Sequence, residues 1–313
     1  MKNSLILRSG LVALVLFAVI PAALGATTIT GPTVISSPGT YVLSKDITGG
    51  SSPAIKVQSS GVTIDGNGHT IRGKDASGSF GILVNNGGKT LTGVTIKNVR
   101  VQDWYDGIYF KNVNGGRIES VTSTSNLRAG ISLRESNNNV ISGCTVSGNM
   151  QGLYVWSRCS GNTIRSNTIS NNREMGLWLA STGRTSKGIV YDSKGNSVLD
   201  NTVNGNGRMG LYVDFTTGNT LKGNRVSGND DHGIFLDYSS GNTITANQVT
   251  SHSQSGMVLF DSDHCTINGN TVSRNGDYAL WAIQSQNLKI GSNQFGGNSR
   301  GTQTLSDGST RAR

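Results

Sequence analysis

The chain is short of the residues from which most folds of its length are built. Its 313 residues include only four prolines and 6% aromatic side chains, against 43 glycines and abundant Asn, Ser and Thr, which excludes a Leu-rich helical core. Cysteine is scarce. Cys144, Cys159 and Cys265 cannot all pair, and their spacing is neither a disulfide framework nor a zinc motif, so they read as small buried thiols. The four histidines, His69, His232, His252 and His264, form no ligand cluster, and no metal site is expected from them. No basic cluster interleaves with aromatics, which argues against a nucleic-acid face. Beyond the N-terminus no segment is apolar for long enough to span a bilayer.

What the chain does have begins with an export signal. Lys2 and Arg8 form a basic end, Leu11 to Ile20 an apolar stretch, and Ala23-Leu24-Gly25 a small-x-small cleavage site, so residues 1–26 read as a signal peptide, with an uncleaved anchor as the alternative. The expected location is extracellular or cell-surface. The whole chain carries +9; without Lys2 and Arg8, 25 basic residues face 18 acidic ones. For an exported protein that surplus suits an acidic polymer, although solvation alone also accounts for it. So much Gly and Ser could signal disorder, but β-branched residues recur in short alternating runs from Val57 to Phe295, the pattern of half-buried strands.

Those runs repeat. Gly followed by apolar-x-apolar recurs at Gly81, Gly107, Gly130, Gly152, Gly176, Gly210, Gly233 and Gly256, with Ala279 in the ninth place. The steps are 26, 23, 22, 24, 34, 23, 23 and 23 residues, and the 34 equals one repeat plus 11. In phase with the Gly lie two Asn columns, one of Asn167, Asn201, Asn224, Asn247, Asn270 and Asn293, the other of Asn139, Asn162, Asn196, Asn219 and Asn242. Cys144 stands in the first column's place one coil early, and Cys265 in the second's one coil late. Asn at a stacked turn can bond its own backbone and the next coil's amide, which satisfies groups the turn would otherwise strand. A period near 23 with short strands predicts an all-β fold, a right-handed parallel β-helix with three strands per coil, its hand following from the crossover rule. Residues 27–73 form a less regular start in which Gly39–Leu43 is expected to cap the first coil. Residues 74–298 form the coils, with an insertion at 181–194, and residues 299–313 a loose polar tail.

Alternation along the strand after each Gly sends Leu211 and Val213, or Ile234 and Leu236, into the core and the residues between them outward. The outward column reads Leu83, Tyr109, Ser132, Tyr154, Trp178, Tyr212, Phe235, Val258 and Trp281. The next reads Asn85, Lys111, Arg134, Trp156, Ala180, Asp214, Asp237, Phe260 and Ile283. An aromatic stripe suits a polysaccharide, whose sugar faces stack on flat rings, so Tyr109, Tyr154, Trp156, Trp178, Tyr212, Phe235 and Trp281 are the candidate binding residues. Asp214 and Asp237 share a column in adjacent coils, close enough to raise one pKa or to recruit Ca²⁺. With Arg208, Asp231 and His232 just before the strand they form a candidate catalytic set for cleaving a glycosidic bond or for abstracting the C5 proton of a uronic acid. A solvated acidic patch is the plain alternative. The insertion, with Arg184, Lys187, Tyr191 and Asp192, leaves the coil after Trp178 and is placed to wall the stripe.

The run Ser37-Pro38-Gly39-Thr40-Tyr41-Val42-Leu43, the run Val62-Thr63-Ile64-Asp65-Gly66-Asn67-Gly68-His69-Thr70-Ile71-Arg72-Gly73, and the Gly-Asn-Thr-Ile coils at 161 and 241, with Leu for Ile at 218–221, resemble the carbohydrate-binding and sugar-hydrolase β-helix family, which includes NosD-like periplasmic proteins. The resemblance covers about Gly31 to Asn298. It implies the fold, and a role that is either a polysaccharide lyase, epimerase or hydrolase, a non-catalytic surface protein, or a NosD-like accessory protein. Asp230-Asp231-His232-Gly233 departs from the Asp-Pro-His-Asp of mannuronan epimerases, lacking the Pro and the second Asp, and no polygalacturonase set is present.

Overall fold

The computed structural model describes residues 25–49, 52–306 and 308–312; the segment read as a signal peptide lies almost wholly outside them. Among the described residues every regular element is a strand, and no helix is long and apolar enough to cross a membrane. The strands stack into three long parallel sheets of 12, 11 and 12 strands, each coil adding one strand to each sheet. The result is the expected right-handed β-solenoid of about 12 turns.

The front sheet carries the Gly-led strands and runs from Thr33–Ile35 through Gln151–Trp156, Leu177–Ala180, Leu211–Asp214 and Ile234–Asp237 to Gly301–Ser306. Its register pairs Trp178 with Tyr212, Leu179 with Val213 and Ala180 with Asp214, then each of those with Phe235, Leu236 and Asp237. Equivalent residues therefore stack about 4.8 Å apart. Leu153, Leu177, Leu211 and Ile234 are all fully buried in one core column. The Gly before each pair is required by close packing. A Cβ on Gly210 would stand 2.5 Å from Val226 Cγ1 and 2.8 Å from the Gly233 carbonyl oxygen.

Both Asn columns are hydrogen-bonded ladders. Asn224 Oδ1 accepts from the backbone N–H and the Nδ2 of Asn201, both at 3.0 Å, while Asn224 Nδ2 donates to Val198 O at 2.9 Å and to Asn247 Oδ1 at 2.9 Å. The thiols occupy ladder sites as expected: the Cys144 amide donates to Asn167 Oδ1, and the Cys265 thiol donates to Ser239 O. Cys159 sits in a further Ser ladder between Ser136 and Ser193, and burial pushes its thiol up to about 12.

A third Asn ladder, not read from the sequence, runs through Asn126, Asn149, Asn172, Asn206 and Asn229 and resumes at Asn275 and Asn298. Between them stands His252. Its Nδ1 accepts from the Asn229 amide at 3.1 Å and its Nε2 lies 3.1 Å from Val226 O, so the neutral ring takes the place of an Asn. Burial lowers its pKa to about 4.

Two expectations at the ends are corrected. Gly39–Leu43 is no cap, because it lies between Thr27–Ile29 and Val62–Asp65 in one sheet, and Thr27–Ile29 holds the edge. The tail is not loose throughout, since Gly301–Ser306 pairs with Tyr278–Ile283 and completes a final coil. The 34-residue step leaves the ladders intact. Asn162 bonds Asn196, Asn167 bonds Asn201 and Asn172 bonds Asn206, each backbone amide reaching the next Asn Oδ1 at 3.0 Å. The surplus is looped out as an antiparallel hairpin of Gly183–Thr185 and Gly188–Val190.

Candidate functional site

The outward face of the front sheet carries the aromatic column, but only its middle is a continuous row of neighbouring rings, stacked at Tyr154–Trp178 and tilted beyond. Tyr154 and Trp178 have ring centroids 4.6 Å apart, Trp178 and Tyr212 5.6 Å, and Tyr212 and Phe235 5.6 Å, and all four rings are half-buried. Trp156 lies flat against Tyr154 at 5.5 Å, with the Arg134 guanidinium 4.4 Å over its ring. The two ends of the stripe differ from expectation. Tyr109 is only 8% exposed, because Phe80 stacks on it and the Arg128 guanidinium covers it, so its face is not presented. Arg128 is itself held in a two-point ion pair with the fully buried Asp106. At the other end Val258 is 1% exposed and separates Phe235 from Trp281, whose Nε1 donates to Ser306 Oγ at 3.3 Å.

Beside the stack, toward the C-terminal ends of the strands, the next column reads Trp156, Ala180, Asp214, Asp237. Ala180 is the small residue of the series, and a cleft of about 520 Å³ opens over it. Tyr154, Trp156, Trp178 and Asp214 line the cleft, with Phe215 at the corner and Thr182–Arg184 of the hairpin across it. The hairpin thus walls the stripe as its place in the sequence suggested. Its root is fixed by Asp192, which accepts from the Thr182 amide at 2.9 Å and from the Thr182 hydroxyl, and by the Ser193 amide donating to Ser181 Oγ at 2.9 Å. Farther out, Arg184 lies 4.5 Å over the Tyr238 ring, and Tyr238 stacks on Phe215 at 4.9 Å.

Asp214 and Asp237 face each other across adjacent strands. Asp237 accepts from the Tyr212 hydroxyl at 3.1 Å, while Asp214 Oδ1 is buried without a hydrogen-bond partner. Burial first, and then the charge of Asp237, raise the Asp214 pKa to about 6, with Trp178 and Tyr212 offsetting only part. Burial also raises Asp237, against the opposing hydrogen bond from Tyr212. Two carboxyls pushed upward by unequal surroundings can divide the roles of acid and base.

The other three members of the predicted catalytic set stand elsewhere. His232 lies before the strand, its Nδ1 accepting from the Ser255 amide at 3.2 Å, its Nε2 3.4 Å from Asp231 and its ring stacked on Phe235. Arg208 is exposed one coil earlier and forms no ion pair among the described residues. Five residues of extended strand, roughly 16 Å, separate His232 from Asp237. The aromatic column therefore lies between the carboxyl pair and the Asp231–His232 pair, and the five do not form one centre. Sequence reasoning set Arg134 in the outward column without naming it as a site residue, and missed Arg158 and Phe215 in the cleft. Phe215 and Tyr238 escape the alternation because they turn the corner at φ of 51° and 46°.

Comparison with known proteins follows the fold. The right handed beta helix region family matches residues 36–187, and the family described as periplasmic copper-binding protein (NosD) matches residues 181–309. Together they bear out the resemblance to NosD-like right-handed parallel β-helix repeat proteins. No curated protein matches the chain in sequence. Among solved structures, the A-module of a mannuronan C-5 epimerase from Azotobacter vinelandii shares 17% identity over 88% of this chain and 81% of its own, with a TM-score of 0.67. A periplasmic alginate epimerase shares 14% over 89% of this chain and 74% of its own, at 0.68. A surface adhesin of Streptococcus pneumoniae shares 12% over 84% of this chain and 82% of its own, at 0.52. At such identities the likeness is one of fold. Among the described residues no three His, Cys, Asp or Glu side chains gather as a metal site, and the three thiols are buried in separate ladder positions.

Proposed function

We propose that this protein binds a polysaccharide along the front sheet and modifies it at the Asp214–Asp237 pair. The row Tyr154–Trp178–Tyr212–Phe235 carries the reading, since half-buried rings in register at one coil per step offer successive sugar rings aromatic contact. The raised carboxyl of Asp214 at the edge of that run supports general acid–base chemistry on the bound chain, as a hydrolase, lyase or epimerase. Asp214 and Asp237 offer too few protein oxygens for a calcium cage alone, so any Ca²⁺ at the pair would be shared with acidic groups of the glycan. The apolar N-terminal stretch and the periplasmic or surface character named for the similar proteins support residence outside the cytoplasm.

The test is a screen of uronic-acid and neutral polymers, followed by assays for new reducing ends and unsaturated products on each polymer that binds. Binding that Trp178→Ala weakens at least tenfold, with turnover lost in Asp214→Asn, supports the whole reading. Binding without turnover favours a second reading, a non-catalytic glycan-binding surface protein, which the separation of His232 from the carboxyl pair also supports. Absence of binding to any polymer refutes both.

A further inference from the structure

The aromatic run is continuous along the solenoid axis, but the column beside it is interrupted. Trp156 and Asp214 flank Ala180, and two coil steps separate them, about 10 Å, wide enough along the axis for a pyranose ring. Along the axis the cleft is bordered by the neighbouring coils. Arg134 and Trp156 stand on one side, Phe215 and Arg184 of the rooted hairpin on the other, and the open sides face the Tyr154–Trp178 stack and solvent. A chain running along the axis can follow the aromatic row, and a side group that leaves it at Trp178 meets this recess.

The lining says which kind. Arg134, Arg158 and Arg184 border the cleft against Glu135 and Asp214. Glu135 is shared between Arg134 at 3.6 Å and Arg158 at 3.9 Å, with Asp192 4.0 Å from Arg158, while Arg184 has no ion-pair partner among the described residues. Arg184 is thus the guanidinium of the three that is left without a carboxylate, on the exposed hairpin at the edge of the cleft. Three guanidinium groups against two carboxyls around the recess, one of the three unpaired, suit an anion.

We propose that the cleft over Ala180 receives a single acidic sugar branch, a uronic acid joined to a glycan backbone that lies on the aromatic stack. This rests on the polysaccharide reading above. The experiment compares branched with linear polymers of the same backbone: glucuronoxylan against linear xylan, and xanthan against linear β-1,4-glucan, by affinity electrophoresis or calorimetry. The wild-type protein should prefer an acid-branched polymer at least about tenfold, the value of one charge-assisted hydrogen bond. Ala180→Met, which fills the recess, should bring that ratio near one, and Arg184→Gln, on the exposed hairpin, should reduce it several-fold without altering the melting temperature. Phe235→Ala, on the stack but outside the cleft, should lower both affinities together and leave the ratio unchanged. Equal affinity for branched and linear polymers, or a ratio untouched by both Ala180→Met and Arg184→Gln, overturns the branch site and leaves the polysaccharide reading standing. If none of the four polymers binds while other glycans do, the branch proposal falls alone; if no glycan of any kind binds, both fall.

Discussion

Replacing Asn224 by Ala removes one rung from the middle of a ladder, and the cost can be worked from its bonds. The side chain accepts from the backbone N–H and Nδ2 of Asn201 and donates to Val198 O and Asn247 Oδ1. Its own backbone N–H keeps its bond to Asn247 Oδ1. Truncation thus strands the Asn201 N–H in a fully buried corner, while the Val198 carbonyl keeps its place in the strand ladder, so the cost should be roughly 1–3 kcal/mol. Asn204, an exposed Asn three residues past Asn201, is the control, and Asn204→Ala should cost no more than about 0.5 kcal/mol. Because stacked coils can open piecemeal, hydrogen exchange at the Asn201 and Asn224 amides is the sharper assay, alongside denaturant unfolding. Exchange at Asn201 should accelerate while Asn224 stays protected. Equal stability of the two variants would refute the claim that the ladder's side-chain bonds hold the corner.

Trp178→Ala and Tyr212→Ala should each weaken glycan binding by about 1–2 kcal/mol in titrations, whereas Tyr109→Ala, on a covered ring, should change folding more than binding. Asp214→Asn and Asp237→Asn should each abolish turnover in product assays with little loss of affinity, because catalytic groups act on the transition state. The folded-state pKa of Asp214, about 6 against an ordinary 3.8, means that the folded chain holds this proton more tightly. Stability from this group is full below about pH 4 and declines as pH rises through 6, so Asp214→Asn should raise the melting temperature at pH 7 and leave it unchanged at pH 4. His252 works in the opposite sense. Its pKa falls from 6.5 to about 4 on folding, so stability is lost as pH drops through that window, and His252→Asn should flatten the acid limb of a pH–stability curve.

The coils, the two Asn ladders and both outward columns were legible because they rest on spacing, which the backbone copies directly into register. Trp178, Tyr212 and Phe235 could be aligned by counting, and so could Asp214 and Asp237. The third ladder was legible in principle, with Asn149, Asn172, Asn206 and Asn229 at the same steps, but His252 interrupts it and hides the continuity. What spacing cannot show is how side chains cover one another. Tyr109 shares the phase of Tyr154 yet is sealed by Phe80 and Arg128 from other phases of the coil. The distance between His232 and Asp237, five residues apart on one extended run, was by contrast open to counting. The Arg158 and Phe215 edges of the cleft arise at a corner where alternation stops applying, and the hairpin reaches them from outside the repeat.

The hairpin enters and leaves the solenoid between two rungs that close over it without a gap. Asn162 meets Asn196 as if the intervening segment were a normal coil, and Ser193 continues the Ser ladder across the same break, its hydroxyl accepting from the Cys159 amide at 3.1 Å. The scaffold's stability is thus insulated from whatever lies between Ser181 and Ser193. A hairpin of other length or charge could be spliced at these two serines and would meet the same floor of Trp156, Ala180 and Asp214. Selectivity for the group that enters the recess can then vary independently of the coils beneath it, as a lock whose wards are cut on a removable plate.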